Sequence, residues 1–158
     1  YSSKEALFEA LVGEAYDYLM GRFREAQEAF ARLPREEQPR ELADFSGMCM
    51  FDMLHYAYDH LEACQLLLCC AQGTRFAGMI DEMVEIETSA THAYQAVLAL
   101  LGRPSPEIDP KLEHILITGM FHTFFELIIH QMPLDQAEQY LREMRAFYTA
   151  GWMKILGQ

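Results

Sequence analysis

SSKEALFEALVGEAYDYLMGRFREAQEAFARLP, residues 2–34, decides the class of fold. Phe8, Val12, Ala15, Leu19, Phe23, Ala26, Phe30 and Leu33 recur at steps of three and four residues. That rhythm puts them on one side of an α-helix, because residues three and four apart stack along its surface. A half-buried strand would need strict alternation, and none is present. Ser2 and Glu5 have the Ser-x-x-Glu spacing of a capping box, in which hydroxyl and carboxylate each satisfy a free amide of the first turn. Pro34 cannot continue a helix. The spacing therefore predicts one long helix from Ser3 to about Leu33, followed by a charged linker from Pro34 to Arg40.

Glycine and proline divide the remainder into further long helical segments. The second is expected from about Glu41 to Gln72, ahead of Gly73, and is apolar nearly all round. Such a helix belongs in the middle of a bundle. The third runs from near Thr74 to Gly102, with Gly78 marking a bend or a short separate turn at its start. In the fourth, Asp109 can cap with Pro110 at the first helical position, and the helix continues to about Gln131. Met132-Pro133 interrupts the pattern, and a fifth helix reaches about Leu156. With no repeat, low-complexity tract or interdomain linker, the expectation is a single all-α domain over residues 1–158, a bundle of five to six helices.

Composition narrows the function classes. With 51% hydrophobic residues, 10 Phe, 8 Tyr and 10 Met, the chain can build an adaptable, roomy interior. Only 12 Lys and Arg face 24 Asp and Glu, a net charge of -12, so counterion release cannot drive binding of this stretch to nucleic acid. The best apolar run, Ile115 to Ile129, is interrupted by His122 and Glu126, and no membrane partner is expected. Cys49, Cys64, Cys69 and Cys70 fall in one predicted helix and lack zinc-ligand spacing, which suits reduced thiols in a cytoplasmic protein.

Glu87 is the most informative single residue. It stands on an otherwise mostly apolar stripe of Phe76, Ile80, Met83, Thr91, Tyr94, Leu98 and Leu101. A carboxylate there either has a buried partner, such as Arg22 or a histidine, or forms a polar point in a cavity. Asp52, His55, Asp59 and Glu62 share one face of the second helix, with Tyr56 at its border. That face is either a solvated edge or a pocket mouth formed by His55, Tyr56 and Asp59. His122, Glu126 and His130 line one face of the fourth helix, as a helix contact or a pocket floor. A single ion cannot take all three, since the outer two lie about 12 Å apart along the axis. Acidic and aromatic groups around a cavity suit a lipophilic or cationic ligand.

Catalysis finds no support: Glu-x-x-His is not repeated, and no G-x-S-x-G, P-loop or dinucleotide fingerprint occurs. No cofactor or metal is implied, and the alternative of a metal-binding bundle or bundle enzyme would have to use His122, Glu126 and Glu87. The last two helices carry wide apolar faces. Leu116, Met120, Phe124, Leu141, Met144, Tyr148 and Trp152 are expected at a two-fold interface, with Gly119 and Gly151 permitting close approach; the alternative is burial inside a larger monomeric bundle.

Taken together, these segments resemble a known family. Residues 1–8, Tyr-Ser-Ser-Lys-Glu-Ala-Leu-Phe, are similar to the junction in TetR/AcrR-family transcriptional regulators where the helix-turn-helix domain runs into the ligand-sensing domain. Gly73-Thr74-x-Phe76 with Ile80-Asp81-x-Met83-Val84-x-x-Glu87 resembles the opening of two later helices of such sensors. Phe121-x-x-x-Phe125-Glu126, Ala137-x-x-Tyr140-Leu141 and Phe147-Tyr148-x-Ala150-Gly151-Trp152 resemble their last two. The resemblance implies a homodimer, a small-molecule effector bound among the first four helices, and DNA contact only through an N-terminal reader that this stretch does not contain. On that basis Glu87, His55, Tyr56, Asp59, Thr91, Tyr94, His122 and Glu126 are the expected ligand-binding residues.

Overall fold

In the computed structural model, which describes residues 2–158, Ser3 rather than Ser2 starts the first helix, α1 (Lys4–Ala31). Ser3 Oγ accepts from the Ala6 amide at 3.1 Å. Ala6 offers no side-chain acceptor in return, and the Glu5 carboxylate accepts instead from the Arg75 amide at 3.1 Å. The expected Ser2–Glu5 capping box is thus replaced by a single cap and a tertiary bond. Tyr1 lies outside the described residues. The rest of the chain forms α2 (Gln38–Asp59), α3 (Leu61–Cys69), α4 (Met79–Leu100), α5 (Pro110–Ile129) and α6 (Leu134–Ile155), with no strand among the described residues.

The second segment differs from expectation: it is two helices, broken at His60, whose backbone leaves the helical region (φ -133°, ψ 46°). No glycine or proline marks the break. Tertiary bonds on either side hold the pieces, with Tyr58 Oη donating to the Met132 carbonyl at 2.7 Å and Gln65 Nε2 to the Ile128 carbonyl at 3.2 Å. Both acceptors lie at the end of α5 or just past it, so the kink is set by contacts distant in sequence. Cys49 therefore sits in α2, Cys64 and Cys69 in α3 and Cys70 just beyond it, all as free thiols.

Asp109 caps α5 as its sequence suggests, Oδ1 accepting from Lys111 N at 2.8 Å and Leu112 N at 3.3 Å. The short connection through Gln131 (φ 51°) and Pro133 returns α6 antiparallel to α5, and Thr123 Oγ1 meets Tyr148 Oη at 2.9 Å. By length and composition α5 could cross a membrane over Pro110–Ile129, a longer span than the expected run from Ile115. In this bundle it packs against α2, α3, α4 and α6 through Ile117, Phe121, Phe124, Phe125 and Ile128.

The apolar faces meet in two clusters. The larger joins α1 to α6 and includes Val12, Leu19, Met53, Leu54, Met83 and Phe125. Phe76, only 1% exposed, anchors it with its ring 6.0 Å from Phe8 and 5.2 Å from Tyr16. The smaller consists of Tyr94, Leu98 and Leu156, flanked by Phe30, Leu42 and Ile108.

Candidate ligand cavity

The two clusters fail to merge because of what α4 presents between them. Its inward residues run Met83 and Val84, then Glu87 and Thr91, then Tyr94 and Leu98. Hydrocarbon cannot close over a carboxylate without leaving its oxygens unsatisfied. At that level lies a cavity of about 240 Å³. α1 contributes Phe23, Ala26, Gln27 and Phe30, and α4 contributes Glu87, Ala90, Thr91 and Tyr94. Both sets follow the same spacing of three, four and seven residues, and each includes an alanine that leaves space where a larger side chain would fill it. α2 adds Phe45, Cys49 and Met53, and α5 adds Met120, Phe121 and Phe124. The last wall is α6, with Leu141, Met144, Tyr148 and Trp152. Ring contacts stiffen the lining: Phe23 meets Phe121 edge-on at 5.4 Å, and Phe30 meets both Phe45 and Tyr94 at 5.9 Å.

Few polar groups reach this space. Protein surrounds Glu87, and the surface it keeps borders the cavity. Its carboxylate accepts from Gln27 Nε2 at 2.5 Å. Burial raises the Glu87 pKa above the ordinary carboxylate value, against the opposing pull of the Gln27 bond. The expected arginine partner is elsewhere, since Arg22 pairs with Asp52 at 2.8 Å. The Cys49 thiol is pushed up to about 12 by burial and behaves as a small hydrophobe. Among the described residues Arg145 is the one Lys or Arg on the wall, and its Nη2 donates to the Ala43 carbonyl at 2.6 Å. It can lie there only because position 47 is glycine: a Cβ would come within 2.6 Å of the guanidinium carbon.

Of the residues expected to bind a ligand, Glu87, Thr91 and Tyr94 border the cavity. His55, Tyr56, Asp59, His122 and Glu126 do not line it. His55 and Asp59 lie on the exposed edge of α2, where His55 Nε2 meets Glu138 Oε1 at 3.1 Å. Tyr56 is sandwiched between Tyr18 at 3.9 Å and His60 at 4.1 Å. His122 and Glu126 look outward from α5, and Glu126 pairs with His130 at 2.5 Å. Helical spacing correctly grouped these residues on shared faces, but it could not say which face turned inward.

The expected interface residues shift in the opposite direction. Met120, Phe124, Leu141, Met144, Tyr148 and Trp152 line the cavity inside one subunit, and only Leu116 lies outside it. Phe124 at 1% and Leu141 at 0% exposure have no surface to offer a second chain. The large apolar residues that do remain exposed on α5 and α6 are Leu112, Ile115, Leu134, Tyr140, Phe147 and Met153. Gln27 and Arg145 are cavity residues that sequence reasoning missed. For Gln27 a signal existed: it interrupts the apolar face of α1 between Phe23 and Phe30, as Glu87 interrupts that of α4. Among the described residues no group of three or more His, Cys, Asp or Glu side chains gathers at one point. Comparisons with protein-family models, curated proteins and solved structures gave no match in any of the three.

Proposed function

We propose that this chain is the ligand-sensing and dimerising domain of a TetR/AcrR-like transcriptional regulator, acting in the cytoplasm. The observation that carries the reading is the cavity itself, walled by five helices, lined mainly by apolar side chains rich in aromatic rings and methionines, and marked by a few polar groups. Sites for small lipophilic molecules have that character. Because α1 and α4 both border the cavity, an effector that fits one arrangement of these helices better than another shifts their relative position. α1 is the helix that a DNA reader would precede, which makes it the natural output. The coding sequence upstream of Tyr1 tests this directly. An in-frame helix-turn-helix supports the proposal, and a start codon immediately before Tyr1 overturns it.

A homodimer belongs to the same reading, with its face moved to the outward residues of α5 and α6. Ile115 and Phe147 are 64% and 73% exposed, and large apolar groups in that position favour an isologous two-fold contact. Replacing Phe147→Glu should convert a dimer to a monomer in sedimentation experiments, whereas Phe124→Leu should leave the association unchanged.

A further inference from the structure

We infer that the cavity takes an organic cation, a lipophilic amine or quaternary ammonium whose charged end rests against the Glu87 carboxylate. This rests on the ligand-sensing role proposed above and names the class of ligand. The first ground is charge. Among the described residues Glu87 is the only carboxylate bordering the cavity, and the side-chain hydrogen bond it accepts comes from the neutral Gln27 amide. The fully buried acid of the bundle, Glu113, is treated differently: His92 Nε2 meets it at 2.8 Å. An ionised carboxylate taken out of water without a counter-charge is strongly disfavoured, and a cationic ligand supplies one.

The second ground is the rest of the wall. Phe30, Phe45, Tyr94, Tyr148 and Trp152 make the lining rich in aromatic rings, whose π systems attract a cation and not an anion. Arg145 already donates to the Ala43 carbonyl and packs on Gly47, so an anion would have to displace that contact to reach it. A neutral apolar ligand would fill the space but supply no counter-charge to the carboxylate, and so gains nothing from Glu87.

Binding has a proton consequence. Burial holds the Glu87 carboxyl above its ordinary value of 4.5, so the unliganded protein retains a proton there to higher pH. An arriving cation stabilises the carboxylate, and that proton leaves to solvent. The affinity for a ligand of fixed charge therefore rises as pH increases from 4.5, then levels off above the raised pKa. The other titratable groups on the walls are Cys49 on α2, Tyr94 on α4, and Arg145 and Tyr148 on α6; α1 and α5 contribute none. The Cys49 thiol near 12 and the raised Tyr94 phenol stay neutral through that range.

A matched pair of probes tests the inference on the intact chain: benzyltrimethylammonium, whose charge does not titrate, and neopentylbenzene, its neutral carbon isostere. N-phenyl-1-naphthylamine, neutral and fluorescent, reports occupancy of the cavity by any apolar molecule. Calorimetric titration should show the cation binding on the order of tenfold tighter than the isostere. The preference should vanish in Glu87→Gln, a near-isosteric change, and wild-type affinity for the cation should rise with pH. The pH series needs no variant and so holds even if Glu87→Gln folds poorly. Equal affinity for both probes overturns the cation site, as does a cation preference that survives Glu87→Gln without pH dependence. Either result leaves the sensing role intact if N-phenyl-1-naphthylamine binds. Failure of all three probes to bind overturns both readings.

Discussion

The same two helices, α1 and α4, build a solid end and a hollow end of one bundle. At the solid end α1 presents Val12, Ala15 and Leu19, at 0%, 2% and 0% exposure, and α4 presents Met83 and Val84. Phe76 plugs the space between them, and polar bonds seal the outside: Tyr16 Oη donates to Glu82 at 2.7 Å, and Arg75 pairs with Glu9 at 2.6 Å while lying 4.1 Å over the Phe76 ring. About two turns beyond Leu19 on α1 and one turn beyond Met83 on α4, the helices keep the same three- and four-residue spacing but present Gln27 and Glu87, and the core opens into the cavity. Periodicity decides which face is inside. The chemistry of one or two positions on that face decides whether it is filled.

If this contrast is real, truncating the two ends should give different results, and this is the largest effect expected. Phe76→Ala removes a ring packed on all sides and should cost about 3–5 kcal/mol. Phe45→Ala removes a half-buried ring that already borders the cavity, so the cost should be roughly half that or less, since less packing is lost. Urea denaturation with comparable m-values measures both. Equal losses would mean the cavity end is as tightly packed as the other, and the contrast would fail.

Enlarging small residues probes the same difference with a smaller effect and opposite signs. Ala15→Leu forces extra methyl groups into a closed interface and should destabilise by about 1–3 kcal/mol. Ala90→Leu projects into the cavity, where the added apolar contact should be neutral or stabilising by up to about 1 kcal/mol. The same variant should abolish uptake of N-phenyl-1-naphthylamine. A stabilised Ala90→Leu protein that still binds the dye at wild-type affinity would place the dye outside the cavity.

The contrast also shows how much the sequence could say. All six helices overlap the segments that spacing and punctuation mark as helical, although α2 starts at Gln38 within the expected linker and α4 at Met79 rather than near Thr74, and the Asp109 cap with Pro110 behind it is realised. The break at His60 was invisible because it is imposed by bonds from Tyr58 and Gln65 to the end of α5 and the turn beyond it, with no local breaker to announce it. Glu87 stood out because a carboxylate on an apolar stripe is locally anomalous. Phe124, Leu141 and Trp152 were legible as apolar but not as inward, since a face that meets a partner subunit and a face that meets a cavity have the same periodicity. His55, Asp59 and His122 illustrate the converse: a polar face is visible in sequence, yet its direction depends on which neighbours the other faces find.

The smallest effect concerns the wall rather than the core. Glycine inside a helix costs about 0.5–1 kcal/mol relative to alanine, so Gly47→Ala in the middle of α2 would ordinarily stabilise the protein by that amount. Here the new methyl meets the Arg145 guanidinium at 2.6 Å, and the donation to the Ala43 carbonyl cannot survive unchanged. That hydrogen bond contributes about 0.5–1.5 kcal/mol. Because Arg145 is long and its end is free to swing outward, the two changes should nearly cancel, leaving stability within about 0.5 kcal/mol of wild type. Moving the guanidinium should nonetheless open the wall, so N-phenyl-1-naphthylamine should bind faster in stopped-flow mixing while its equilibrium affinity changes less. A loss of stability above about 1.5 kcal/mol, comparable to overpacking a closed core, would show that Arg145 is held as rigidly as the side chains around Phe76. In that case the hollow end is rigid around its space, and the dye must enter by a movement of the helices themselves.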